Sequence, residues 1–245
     1  MAEKEKWVDM FKDKKLVCFD LDGTLIDSVG IWNQVDAALI LELSGIEVGL
    51  DQIQQLRDLQ LKAFRHMPDP YLEYCGYLKE LYGFEPSKEE VKNRRYHISR
   101  HFLDHVIELK PQAELLIQAL KQQGIQLALT TTTSLFNVQR YQDNNQKINQ
   151  KISFDDDFAI ILTRENVENI KPHPEVYLNA LQHFEIEAKD CLIVEDSLIG
   201  VEAANNAGID VVAIYDQYSA HEMDLIKAKA DYFVEDFAGL IKLVN

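Results

Sequence analysis

Short apolar runs that alternate with amphipathic segments dominate the hydrophobic pattern along most of this chain. The runs recur from residue 125 onward, and one more, Leu16-Val17-Cys18-Phe19, lies near the N-terminus. Such runs, without polar alternation, are typical of strands buried on both faces of a parallel sheet. Alternation of strand and helix predicts right-handed crossovers with helices on both sheet faces. The pattern therefore predicts an α/β fold built on a doubly wound parallel sheet.

The bounds of the predicted elements follow from the periodicity and from the turn residues at their ends. Strands are expected at residues 16–19, 125–131, 158–162, 191–194, 211–215 and 232–234. Helices are expected at residues 4–12, 111–124, 175–184, 198–207 and 220–229, with one more at the C-terminal end. Pro111 and Gly124 suit the start and the stop of one of these helices. The polar stretch 142–150 is interpreted as a loop or as the frayed end of a helix.

Residues 30–107 carry a different pattern, which is purely helical. Apolar residues recur there at three- and four-residue steps, and four helices are expected, among them 51–66 and 70–82. Ser87 and Glu90 form the capping-box pattern that starts the fourth of them. We therefore expect a helical domain at 30–107, inserted into an α/β core of 14–29 and 108–245. Residues 1–13 would be an N-terminal extension.

The composition restricts the classes of partner. Lys and Arg number 25 against 41 Asp and Glu, so the net charge is 25 − 41 = −16. A surface this acidic repels nucleic acid and anionic membranes, and argues against both as partners. No uninterrupted apolar stretch is long enough for a membrane span, and no signal core is visible. The three scattered cysteines suit a reducing, cytoplasmic setting. A monomer or small homo-oligomer is expected.

Two carboxylates follow the first buried strand directly. Asp20 and Asp22 stand where open α/β sheets bind their ligands, and Gly23 allows a sharp turn beside them. Two close carboxylates repel each other, so the pair predicts a metal site or an acid/base pair with separated pKa values. A calcium loop that starts at Asp20 would need Gly and Glu at its sixth and twelfth positions. Leu25 and Ile31 stand there instead, which excludes that alternative.

Two further stretches carry polar side chains. The first places hydroxyl groups at the end of a strand, and the second places a lysine on a stiff loop. The strand at 125–131 runs into the threonines Thr130 to Thr133 and then Ser134. Strand propensity and a helix cap explain these residues, but such hydroxyls also hold phosphate together with helix N–H groups. Lys171 lies in Asn-Ile-Lys-Pro-His-Pro, which is stiffened by two prolines. A lone lysine is ordinarily a solvated surface charge, and such a lysine does not need a stiff loop to hold it.

A second acidic pair ends a later strand. Glu195 and Asp196 follow the apolar run Leu192-Ile-Val and precede a predicted helix. The N-terminus of that helix would favour acids by itself. A buried acidic pair is nevertheless costly without a cation, so the position also predicts a metal site.

The four stretches together resemble the four sequence motifs of the haloacid dehalogenase (HAD) superfamily. FDLDGTLIDS resembles its first motif, hhhDxDGTLxDS, and the strand that ends at Thr131 resembles its second. KPHPEVY resembles KPxPxxY, and EDSLIGVEAANNAG resembles EDSxxGxxAAxxAG. The resemblance spans residues 16–208 in the superfamily's order and implies a Rossmann-like core. The inserted helices resemble the C1-type cap of the phosphoglycolate phosphatase and β-phosphoglucomutase branch.

This resemblance implies a Mg²⁺-dependent phosphatase that acts on a small phosphorylated metabolite, such as a sugar phosphate or a phosphoglycolate-like ester. Asp20 would be the nucleophile that becomes an aspartyl-phosphate, and Asp22 the general acid/base. Mg²⁺ would bind to Asp20, to the main-chain carbonyl of Asp22 and to Asp196, with Glu195 as a supporting or alternate ligand. The substrate phosphate would bind to Thr131, Thr132 and Lys171, with Thr130 as the alternative to Thr131.

Two alternatives share this chemistry. A phosphomutase of the β-phosphoglucomutase type would use the same nucleophile and pass the phosphoryl group to a second sugar hydroxyl. A receiver-type signalling domain would also carry an aspartyl-phosphate in an α/β fold. The second acid, Asp22, and the long helical insertion argue against a receiver, since a stable switch has no use for a hydrolytic acid. The core motifs do not separate a phosphatase from a mutase.

Overall fold

A single parallel sheet forms the centre of the α/β part of the protein in the computed structural model, which describes residues 10–64 and 66–244. Its strands are β1 (Leu16–Phe19), β2 (Gln126–Thr130), β3 (Ile160–Leu162), β4 (Cys191–Glu195), β5 (Asp210–Ile214) and β6 (Tyr232–Val234). All neighbouring pairs are parallel, in the order β3-β2-β1-β4-β5-β6. This topology confirms the predicted doubly wound α/β fold.

The reversal of strand order at β1 determines where a site can form. β2 lies on one side of β1 and β4 on the other, and Phe19 is aligned with both Leu129 and Val194. All four residues of β1 are fully buried, as the uninterrupted apolar run predicts. The segments that follow β1, β2 and β4 therefore meet at one edge of the sheet. Ligands of open α/β sheets bind at such a switch point.

Twelve α-helices are described. Residues 30–106 contain α1 (Ile31–Ser44), α2 (Leu50–Phe64), α3 (Pro70–Tyr82) and α4 (Lys88–His105). The α/β part contains α5 (Ala113–Gln122), α6 (Leu135–Asn144), α7 (Gln146–Asn149), α8 (Phe154–Asp157), α9 (Glu175–Phe184), α10 (Leu198–Ala207), α11 (Met223–Lys229) and α12 (Phe237–Val244). In the part of the chain that the structure describes, no helix has the length and apolar character needed to cross a membrane.

Three predicted elements differ from the structure or fall outside it. Pro111 lies in a turn, and α5 begins at Ala113, after Gln112 with φ 68°. The polar stretch 142–150 is mostly helical, because Asn145 caps a separate short helix, α7, by accepting a hydrogen bond from Ile148 N. Its Nδ2 also donates to Ile107 O at 2.9 Å, which anchors the break between α6 and α7. The helix expected at 4–12 lies mostly outside the described residues.

The chain divides into two compact units. One comprises residues 30–106, and the other comprises residues up to 29 and from 107 onward. In the helical unit, the apolar positions of α1 to α4 form one buried cluster that includes Leu39, Ile53, Tyr74 and Leu78. The predicted capping box is present, since Ser87 and Glu90 exchange side-chain to backbone hydrogen bonds at the start of α4. That unit thus has a core of its own.

A buried ion pair lies inside the helical unit. Asp36 is fully buried and accepts hydrogen bonds from Arg95 Nε at 2.5 Å and from Tyr74 OH at 3.0 Å. Arg57 Nη1 lies 3.7 Å from the second carboxylate oxygen of Asp36. The Arg95 guanidinium also stacks over the ring of Trp32, 4.6 Å from its centroid. Removal of Arg95 would leave Asp36 without its nearest counter-charge in an apolar interior.

We expect Arg95→Ala to destabilise the helical unit by about 3–5 kcal/mol, the usual effect of breaking one side of a buried pair. Denaturant unfolding followed by circular dichroism measures the change. The matched control is Arg94→Ala, one residue earlier, whose exposed ion pair with Glu42 should contribute far less. Equal losses in the two variants would contradict a structural role for the buried pair.

Candidate active site

The loop after β1 places two carboxylates at the sheet edge. Asp20 N donates to Val194 O at 3.0 Å, so the first residue of the loop is still held by the neighbouring strand. The chain then turns back, with the N–H groups of Leu25 and Ile26 both bonded to Leu21 O. Gly23 has φ 85° in this turn, a left-handed conformation that favours glycine. Asp20 and Asp22 therefore stand on a backbone that its own hydrogen bonds fix.

Gly23 also provides room for Asp196. A Cβ atom at Gly23 would lie 2.4 Å from Asp196 Oδ2, well inside van der Waals contact. The other oxygen, Asp196 Oδ1, accepts a hydrogen bond from Thr24 Oγ1 at 2.7 Å. The loop after β1 thus holds Asp196, which follows β4, in two ways. Gly23 packs closely against it, and the hydroxyl of Thr24 donates a hydrogen bond to it.

Lys171 bridges the two acidic stretches. Its Nζ lies 2.7 Å from Asp20 Oδ1 and 2.7 Å from Glu195 Oε1, and it donates to Thr130 O at 2.9 Å. The lysine is 4% exposed, so it is not the solvated surface charge that a lone lysine usually is. The stiff Lys-Pro-His-Pro segment delivers this ammonium group to the interior of the site.

Glu195 is oriented from several directions. Its Oε2 accepts hydrogen bonds from Asp196 N at 3.0 Å and from both the backbone N and the hydroxyl of Ser197. Its Oε1 accepts from Tyr177 OH at 3.2 Å in addition to Lys171. A Cβ atom at Gly200 would lie 1.9 Å from this carboxylate. Gly200 therefore leaves room for the Glu195 carboxylate at the start of α10.

The threonines after β2 have separate positions. Thr130 is fully buried, and its hydroxyl donates to Phe19 O at 3.2 Å, so it faces the sheet. Thr131 and Thr132 instead line a cavity of about 220 Å³. The same cavity is lined by Asp20, Asp22, Lys171, Glu195 and Asp196. Every site residue predicted from sequence therefore borders one cavity, and of the two threonine alternatives only Thr131 does so.

Several residues that sequence reasoning did not assign also belong to this arrangement. Ser28 Oγ donates to Asp22 Oδ1 at 2.6 Å, and Thr133 Oγ1 donates to Asp22 Oδ2. Tyr218 and Ser219, which follow β5, line the cavity as well, and Ser219 Oγ lies 3.4 Å from Asp196 Oδ2. Ser28 and Thr133 stood inside quoted motifs, but nothing in the sequence indicated which carboxylate each would contact. No motif marked Tyr218 or Ser219.

Burial and mutual repulsion shift the pKa values of the acids upward. Burial raises the pKa of Asp20 to about 8; Glu195 and Asp22 add to this shift, and Lys171 opposes it. Burial, together with Glu195 and Asp20, holds the pKa of Asp196 well above its usual range. Burial raises the pKa of Asp22, although hydrogen bonds from Ser28 and Thr133 oppose the rise. Burial would lower the pKa of Lys171, but Asp20 and Glu195 hold it well above the ordinary value.

The acidic side chains fit a hard divalent cation. Asp20, Glu195 and Asp196 can each offer one carboxylate oxygen, and these atoms lie within 4.8 Å of one another. All three residues are buried, and Lys171 is the ammonium group that contacts Asp20 and Glu195. Mg²⁺ prefers oxygen ligands, among them one or two carboxylates, and keeps several of its water molecules. A bound cation would also relieve the repulsion that raises the pKa values of Asp20 and Asp196.

Comparisons with known proteins agree with this arrangement. The family model of the haloacid dehalogenase-like hydrolases matches residues 17–214. The phosphoglycolate phosphatase of Pasteurella multocida is 26% identical over 235 residues, 94% of this chain and 98% of that protein. The bifunctional riboflavin kinase/FMN phosphatase of Arabidopsis thaliana is 26% identical over 81% of this chain, which spans only 48% of that protein. The crystal structure of a predicted phosphoglycolate phosphatase from Haemophilus somnus has a TM-score of 0.72 at 22% identity, over 96% and 99% of the two chains, and is similar in fold.

We expect Gly200→Ala to displace the Glu195 carboxylate, because the added methyl group would overlap it. The variant should lose about 1–3 kcal/mol of stability. Because the displaced carboxylate would also shift Lys171, any activity of the site should fall by about 10²-fold. Thermal unfolding and turnover assays measure the two effects. Gly239→Ala in α12 is the control, since a Cβ atom there meets its nearest neighbour at 3.7 Å. Wild-type behaviour of both variants would show that Glu195 is not tightly packed.

Proposed function

This chain belongs to the haloacid dehalogenase-like hydrolase family, and we propose that it hydrolyses small phosphate monoesters through an aspartyl-phosphate on Asp20. The observation that carries the proposal is the 2.7 Å contact between Asp20 Oδ1 and the buried Lys171 ammonium. It places a carboxylate beside a fixed positive charge in a cavity that hydroxyl groups also line. A phosphoryl group at this position would meet a nucleophile and a counter-charge together.

In the first half-reaction, the free carboxylate oxygen of Asp20 attacks phosphorus and the bond between phosphorus and the ester oxygen breaks. Asp22 donates a proton to the departing alkoxide, which leaves as the alcohol. In the second half-reaction, Asp22 takes a proton from water, and the water oxygen attacks the phosphorus of the aspartyl-phosphate. Inorganic phosphate leaves and Asp20 is regenerated as a carboxylate.

Two contacts support the acid/base role of Asp22. Ser28 and Thr133 each donate a hydrogen bond to one of its oxygens, which fixes the plane of the carboxyl group. Its pKa is raised by burial, which favours the protonated form needed in the first half-reaction. A positioned acid/base of this kind contributes roughly 10²–10⁴-fold to the rate.

The same family and the acidic cluster support Mg²⁺ as the cofactor. Asp20 and Asp196 would hold the ion through their carboxylates and Asp22 through its main-chain carbonyl, while Glu195 stays bonded to Lys171 and the backbone. When bound, Mg²⁺ would neutralise charge on the phosphoryl oxygens. Lys171 and the hydroxyl of Thr131 would bind the same oxygens from the protein side, with Thr132 beside them.

The substrate is proposed as a class, a small phosphorylated metabolite. The relatives' names point to different esters, phosphoglycolate in one case and FMN in another. Membership in a hydrolase family disfavours the receiver-type alternative. The cap function of the helical unit remains a prediction from the resemblance, and transfer to a sugar hydroxyl, as in a mutase, remains the alternative to hydrolysis.

The first test is a screen of the full-length protein with Mg²⁺ against para-nitrophenyl phosphate, phosphoglycolate, FMN and sugar phosphates. We expect release of inorganic phosphate, with ¹⁸O from labelled water in the phosphate, because water attacks phosphorus. EDTA should abolish turnover and added Mg²⁺ should restore it. Isomerised sugar phosphate without free phosphate would indicate a mutase, and activity that survives complete chelation would exclude the metal assignment.

Asp20→Asn should reduce turnover by about 10⁴-fold or more, since an amide does not act as the nucleophile. Turnover, thermal unfolding and acid-quenched labelling with ³²P-substrate measure this. The labelled aspartyl-phosphate should form in the wild type and be missing in the variant, which should fold normally. Asp224→Asn, at an exposed aspartate of α11, is the control and should behave as wild type. Label on Asp20→Asn would mean that another residue is the nucleophile.

Asp22→Ala and Asp196→Ala should separate two roles. Asp22→Ala should lose kcat and keep Mg²⁺ binding, because the main-chain oxygen survives the truncation. Asp196→Ala should bind Mg²⁺ more weakly, so that part of its activity returns at high metal concentration. Calorimetric titration of Mg²⁺ into both variants measures the affinities. An equal loss of affinity in the two variants would contradict this division.

A further inference from the structure

A ladder of three exposed histidines runs along α4 of the helical unit. His97, His101 and His105 are spaced by four residues, and all three side chains are exposed. Residues at i and i+4 lie on the same face of a helix, one turn apart. None of the three histidines lines the cavity that contains the candidate active site.

The last two members of the ladder lie close together. The ring centroids of His101 and His105 are 5.4 Å apart and their planes are inclined by 59°. Zn–N bonds are about 2.0–2.1 Å long, so two imidazole nitrogens on one tetrahedral ion stand roughly 3 Å apart. The same i, i+4 spacing on a helix supplies two zinc ligands in known metal-binding helices.

The ligand chemistry of this pair differs from that of the acidic cluster. Neutral imidazole suits Zn²⁺, Ni²⁺ and Cu²⁺, whereas carboxylates and carbonyl oxygens suit Mg²⁺. Two imidazoles add no negative charge of their own, but the chain as a whole carries −16 and attracts cations. An ion held by this pair would therefore differ in kind from an ion held by the acidic cluster.

We propose that His101 and His105 form a second metal site, which binds a transition-metal ion such as Zn²⁺ or Ni²⁺ with water completing the coordination. α4 ends at His105, and the helical unit ends at Val106. Both imidazoles reach one ion only while this last turn is helical, so binding stabilises the turn against fraying. The chain enters the α/β unit at residue 107, directly after a turn that the metal ion strengthens.

The test is calorimetric titration of Ni²⁺ into the full-length protein, with Mg²⁺ in excess to occupy the acidic cluster. The wild type should bind one Ni²⁺ at this site. His101→Ala and His105→Ala should each weaken it by about tenfold or more, because a second ligand on the same helix acts at high effective concentration. Alanine preserves the helix at these exposed positions. His97→Ala should bind as the wild type does.

His183→Ala is the matched control, because His183 is exposed on α9 and packs edge-on against Phe184 as His101 does against Phe102. Its Ni²⁺ affinity should equal that of the wild type. Hydrogen exchange of the amides at 101–106 should slow with Ni²⁺ in the wild type and not in His105→Ala. Unchanged affinity in His101→Ala or His105→Ala, or a loss in His97→Ala as large as theirs, would overturn the assignment. Unchanged exchange in the wild type would overturn the stabilised turn.

Discussion

The candidate site depends on the ion pairs that the ammonium group of Lys171 forms with Asp20 and Glu195. Pairing of β1 with β4 aligns Phe19 with Val194, so Asp20 and Glu195, the residues that follow these two in the chain, are forced close together at the carboxyl edge. Buried carboxylates at this separation repel each other strongly. Lys171 lies 2.7 Å from each of them and offsets the repulsion. The strand order thus brings the two carboxylates together. Lys171, which lies on a stiff loop, reduces the repulsion between them.

The absence of side chains at Gly23 and Gly200 is as important to the site as the charges are. Each glycine faces a carboxylate across a gap that a Cβ atom would close, Asp196 in one case and Glu195 in the other. In this close arrangement, the hydroxyl of Thr24 donates a hydrogen bond to Asp196, and the backbone N–H of Ser197 donates one to Glu195. These acids are held by neighbours that leave little freedom of rotation, which is what preorganised ligation requires.

Sequence reasoning recovered most of the fold and the charged members of the site. Buried parallel strands carry uninterrupted apolar runs, and Asp20, Lys171 and Glu195 stand directly beside such runs or on a stiffened loop. The contacts of Ser28 and Thr133 with Asp22 were not predictable, because hydroxyl rotamers depend on the three-dimensional arrangement of two loops. The short helix α7 was not predicted, because Asn145, a typical loop residue, serves there as a helix cap.

Burial of charge alone does not separate a structural ion pair from a functional site, and the two units illustrate the difference. In the helical unit, Asp36 is surrounded by Arg95, Arg57 and Tyr74, so every negative charge of that cluster has a positive partner. In the α/β unit, Lys171 pairs with Asp20 and Glu195, while Asp196 accepts a hydrogen bond from the hydroxyl of Thr24. The pKa values of Asp20 and Asp196 are raised. A cluster without excess negative charge gains nothing from a further cation. A cluster with excess negative charge is stabilised by a cation and by the ligands that the cation binds. This excess of negative charge is the physical reason to place the proposed reaction at the carboxyl edge of the sheet.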